Sequence, residues 1–68
     1  MRNWAAIFRS VSRPEAEIVR GLLKANGIPS VLVDSRSSAY PHLGECEVHV
    51  VRNDVVRALY LVRKHENQ

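Results

Sequence analysis

The chain has 68 residues, enough for one domain but too few to bury more than about 60% of the surface it exposes when unfolded. Hydrophobic residues make up 46% and charged residues 25%, which excludes a disordered chain, and no apolar run approaches the ~18 residues of a membrane span. Ten basic residues against seven acidic ones leave a formal charge of +3, spread along the chain as solvated surface rather than gathered as in a polyanion binder, and the single Cys46 cannot form an internal disulfide.

Residues 3–9 (N-W-A-A-I-F-R) read as a first strand, because Trp, Ile and Phe favour the extended chain and the Ser10-Val11-Ser12 break follows. Both of its faces are apolar, so alternation does not choose between them. One phase turns Trp4 and Phe8 outward; the other turns them toward the helices.

Residues 13–26 form an amphipathic helix. Ser12 can cap it, Glu15 can close a capping box, and Pro14 sits where its missing N–H costs nothing. Arg13, Glu17, Arg20 and Lys24 share one side; Ala16, Ile18, Val19, Leu22 and Leu23 fill the other. Gly21 is a weak spot in the interior, costing about 1 kcal/mol against alanine, and it permits a neighbour to approach closely. Asn26-Gly27 supplies the stop, and Ile28-Pro29 forces the chain to extend into a buried strand over 30–34.

Residues 35–44 (S-R-S-S-A-Y-P-H-L-G) are longer than a hairpin turn needs and make the one real loop, with Arg36, Tyr40 and His42 the residues best able to recognise something. Over 45–51, Cys46, Val48 and Val50 alternate with Glu45, Glu47 and His49, the pattern of a strand with one buried face. Asn53 or Asp54 then caps a helix over 54–65, with Val55, Ala58, Leu59 and Val62 as its stripe and basic residues at its C-terminal end.

The element order is therefore β-α-β-β-α. A right-handed crossover, followed by a hairpin inserting its second strand between the first two, gives an α+β two-layer sandwich with sheet order 1-3-2 and both helices on one face. This is a ferredoxin-like arrangement without its last strand. The first strand is left with an open edge, and the face away from the helices is uncovered. Trp4, Phe8 and Leu32, turned outward beside Glu47 and His49, are the expected partner or dimer face.

Reactive chemistry finds little support. Cys46 and His49 point to opposite faces of one strand, so a site with His42 lacks a third metal ligand. A thiol pointing inward between two glutamates is a poor nucleophile. No phosphate-cradling glycine motif occurs. The expectation is a non-enzymatic binding domain with no cofactor and no metal. Single-stranded nucleic-acid binding through Trp4 and Phe8 is the alternative, opposed by Glu47 in the middle strand.

The run Glu15-Ala16-Glu17, then Gly21-Leu22-Leu23, Ala25 and Gly27-Ile28-Pro29, resembles a small bacterial family described as putative prokaryotic signal-transducing proteins, over about residues 4–61. The resemblance implies a ferredoxin-like fold and, through a comparison with nitrogen-regulatory PII proteins, a regulatory role with a small ligand as a candidate effector. The lone cysteine and the lack of a visible signal peptide or span make the cytoplasm the expected compartment, and the open edge, apolar face and small core make a homodimer with a protein or ligand partner the expectation. In PII proteins too, the functional loop joins the second and third strands. The chain departs from PII proteins in lacking a fourth strand, and the family supplies no catalytic residues to carry over.

Overall fold

The computed structural model describes residues 3–35 and 44–67. Its elements run β1 (Trp4–Ser10), α1 (Arg13–Ala25), β2 (Ser30–Asp34), β3 (Cys46–Val51) and α2 (Val55–Glu66), with a 3-10 turn at Arg52–Asp54 leading into α2. The three strands form one antiparallel sheet in the order β1-β3-β2, with both helices packed on one face. The expected order and topology are observed.

Local chemistry explains the boundaries of α1. Ser12 has extended backbone, and its hydroxyl accepts the Glu15 N–H at 3.3 Å. The return half of the capping box runs through a third residue: the Ser12 N–H donates to Ser10 Oγ at 3.0 Å, and Ser10 Oγ donates to the Glu15 carboxylate at 3.0 Å. Two serines thus satisfy donors that a simple box handles with one.

At the other end, Gly27 adopts φ +76. Its N–H reaches the Lys24 carbonyl at 3.0 Å, and the Ile28 N–H reaches Leu23 at 2.9 Å, the two bonds of a Schellman stop. Leu23 and Ile28 are both fully buried, so the stop is fastened by apolar packing as well. Arg57 donates to the Asn26 carbonyl at 2.8 Å, tying α2 to this corner. The cap expected for α2 differs: Asp54 holds the position without a side-chain bond, because the 3-10 turn supplies the entry geometry.

The core lies between sheet and helices. Cys46, Val48 and Val50 are fully buried and meet Ala16, Val19 and Leu23 of α1 and Ala58 and Val62 of α2. Ile18 does not join them. It is 57% exposed, since it lies about a third of a turn or more from Ala16, Val19 and Leu23. Leu59 also sits at the margin of its stripe, at 36% exposed. The run Val31–Val33, expected to be buried, is only half-buried, because β2 is a sheet edge with helices on one side alone.

Register decides the phase of β1. Between Ala6 and Phe8 the pairing with β3 slips by one residue, and Ile7 is the extra one. Ile7 is buried and Phe8, its neighbour, also packs against the core. The bulge therefore turns two consecutive side chains toward the helices, an outcome that simple alternation does not allow.

The connection between β2 and β3 is pinned at its base. Ser35 N–H donates to the Glu45 carbonyl at 3.1 Å, Ser35 Oγ donates to the same oxygen at 2.7 Å, and the Glu45 N–H returns to Ser35 Oγ at 3.1 Å. Gly44 has φ +94, and a Cβ there would stand 3.0 Å from the Ser35 carbonyl oxygen, so glycine is required at this closure.

Candidate functional site

Residues directly opposite in an antiparallel pair share a face. Trp4 pairs with Val51, Ala6 and Val31 pair with His49, and Arg9 and Val33 pair with Glu47. These eight residues form the sheet face opposite the helices. Trp4, Ala6, Val31, Val33 and Val51 are each only half-buried, leaving an apolar surface from one edge to the other.

The expected partner face is divided by this geometry. Trp4 stands on the open side as anticipated. Phe8 and Leu32 both pair with Val48, the fully buried centre of β3, and pack against the core on the helix side. For Phe8 the cause is the bulge at Ile7; for Leu32 it is the register of the β2–β3 hairpin. Val31, Val33 and Val51 take their place on the open face. The signal for them was present in the sequence, since Val31 and Val33 flank Leu32 and must face away from it. Arg36, Tyr40 and His42 lie outside the described residues.

The division also bears on the nucleic-acid alternative. That expectation rested on Trp4 and Phe8 side by side as a stacking platform. The fold places them on opposite faces, leaving Trp4 as the one aromatic side chain of the described residues on the open sheet.

Across the middle of the apolar surface runs a chain of polar contacts. Arg9 Nε lies 2.8 Å from Glu47 Oε2, and His49 Nε2 lies 2.9 Å from Glu47 Oε1. An ionised carboxylate only accepts, so Nε2 carries the proton in this arrangement. That leaves His49 Nδ1, which is shielded from solvent and has no partner among the described residues. The hydrogen bond from His49 holds the Glu47 carboxyl below its ordinary value of 4.5, partial burial opposes that shift, and the charge of Arg9 adds to it. Glu47 is thus an anion at neutral pH, neutralised by Arg9 and oriented by its neighbour two residues on.

Cys46 is fully buried on the other face of β3, beneath the helices. Among the described residues no group of three or more His, Cys, Asp or Glu could hold a metal ion, and no helix is long and apolar enough to cross a membrane. The open face is apolar at both margins, and polar and internally neutralised along its centre.

No curated protein and no solved structure matches the chain. A family model does, from the first residue of β1 to the last of α2: with residues 4–66 matched, the chain belongs to the family described as "putative prokaryotic signal transducing protein".

Proposed function

We propose that this chain is a non-enzymatic regulatory or adaptor domain of the bacterial cytoplasm that works by binding, with its open sheet face as the contact surface and a second copy of itself as the first partner. The observation that carries the reading is the uncovered apolar face formed by Trp4, Ala6, Val31, Val33 and Val51. A domain this small gains more from covering such a face than a large one does, because its own core is limited. The Arg9–Glu47–His49 chain would fix how two faces meet, since a buried polar group must find its partner in one register and not in others. The signal-transducing description of the family supports a regulatory role, and the burial of Cys46 supports the non-enzymatic part. The PII comparison fits the same reading, as a domain that answers a ligand by changing what it contacts.

Sedimentation velocity over a range of micromolar concentrations tests the self-association. The wild type is expected to dimerise reversibly. Trp4→Asp should shift it to monomer while keeping a cooperative thermal transition, because Trp4 is outside the core. A monomer independent of concentration would refute the self-association. A tagged pull-down with nuclease treatment then tests the adaptor role: salt-resistant proteins are expected, whereas a haul lost on nuclease treatment would favour nucleic acid.

A further inference from the structure

The two flanks of α1 are unlike. Leu22 and Asn26 line the side facing α2. On the opposite flank, Glu17, Arg20, Gly21 and Lys24 overlook the turn through Gly27, Pro29 and Ser30, and between them lies an open groove of about 640 Å³. That is within the usual size of small-molecule sites. It shares no residue with the open sheet face.

Three features of the groove have no use within the chain itself. Gly21 is exposed in the middle of a helix, has ordinary negative φ, and a Cβ there would meet nothing within 4 Å. Neither backbone geometry nor internal packing asks for glycine, and alanine would make the better helix. Arg20 holds Glu17 Oε1 through Nη1 at 3.1 Å, yet its Nε is shielded from solvent and has no hydrogen-bond partner among the described residues. The side chain of Lys24, one turn further on, makes no hydrogen bond or ion pair among the described residues.

A guanidinium with Nη1 engaged still has Nη2 to give, a charge-assisted donor to an oxygen of a carboxylate or phosphate. Lys24 supplies the uncompensated charge, since Glu17 is already answered by Arg20. The missing side chain at Gly21 keeps the space beside these donors open. We propose that the groove between α1 and the turn into β2 binds a small organic anion, gripped at its carboxylate or phosphate by Arg20 and Lys24, with its body lying over Gly21 against Pro29 and Ser30. Glu17 anchors the guanidinium from behind and disfavours ligands with negative charge at both ends. This site does not rest on the dimer reading, and either can fail without the other.

The test is a two-dimensional amide NMR titration of the whole chain with inorganic phosphate, citrate and adenosine monophosphate in separate arms, against sodium chloride of matched ionic strength. The arms separate phosphate from carboxylate recognition. Saturable shifts are expected at the amides of Gly21, Gly27 and Ser30 with at least one probe and not with chloride. Arg20→Gln and Lys24→Gln should each weaken binding about ten-fold or more. Gly21→Leu should remove binding while raising the thermal midpoint by a few degrees, about 4 °C, because it restores helix propensity as it fills the groove. Loss of binding in a more stable protein cannot be blamed on misfolding. Absence of saturable groove shifts with all three probes up to about 10 mM, or shifts that persist in Lys24→Gln and Gly21→Leu, would overturn the assignment.

Discussion

The two faces of β3 are made from the same six residues and obey different rules. Cys46, Val48 and Val50 are fully buried, apolar and closed over by two helices. Glu47, His49 and Val51, each one step along, are half-buried, and Glu47 carries a charge paired with Arg9. One face completes the fold. The other has nearly as much apolar character at its margins yet none of the described residues over it, and its centre is held by a salt bridge that a core has no need of. Burial by the chain itself and availability for contact have been separated by a spacing of a single residue.

The largest test of that separation compares truncations on the two faces. Val48→Ala should cost about 2 kcal/mol or more in urea unfolding, through lost transfer energy and the cavity left behind. Val33→Ala should change monomer stability by well under about 1 kcal/mol, since the side chain is half-exposed, and should show instead in the dissociation constant of the proposed dimer. Equal losses in monomer stability would collapse the distinction between the faces.

The same separation can be sharpened at α1 and its stop, where two glycines should respond with opposite signs. Gly27→Ala forces an L-residue to φ +76 and should destabilise by about 1 kcal/mol. Gly21→Ala should stabilise by about 0.4–1 kcal/mol, because only helix propensity and unfolded-state entropy change. Thermal or denaturant unfolding of both variants reads the signs directly.

The smallest effect belongs to Glu47. Its folded-state carboxyl lies below the ordinary value of 4.5, so its contribution is fully present above that value and is lost as pH falls beneath it toward the folded one. The pair is partly exposed, with 63% and 27% of the Arg9 and Glu47 side chains accessible, so the size stays below about 1 kcal/mol. The stability gap between wild type and Glu47→Gln should therefore be measurable at neutral pH in low salt and shrink by pH 3. A gap that widens on acidification would reverse the assigned sign.

The order of elements and the sheet topology were legible because each boundary has its own local chemistry: serines before α1, Asn26-Gly27 after it, and a strictly alternating β3. The open face was legible only in part. The apolar run of β1 offers both faces equally, and the bulge that chooses between them is placed at Ile7, a residue with no turn or glycine character to announce it. Leu32 was assigned outward because an apolar triplet gives no phase of its own; the phase comes from pairing with Val48, a tertiary fact. Exposed Gly21, by contrast, could be read from the sequence as an unexplained weakness in a helix, and the fold shows that the neighbour it could admit does not come from within the described chain.

The clamp of Ser35 on Glu45 makes the register of β2 against β3 a property of two residues and the glycine beside them. The bonds of this closure are made by Ser35 and Glu45, which flank residues 36–43. Since doubling the length of a closed segment costs only about 0.6 kcal/mol, this is the point where the chain can accept insertion, exchange or a grafted recognition sequence while the sheet remains the same.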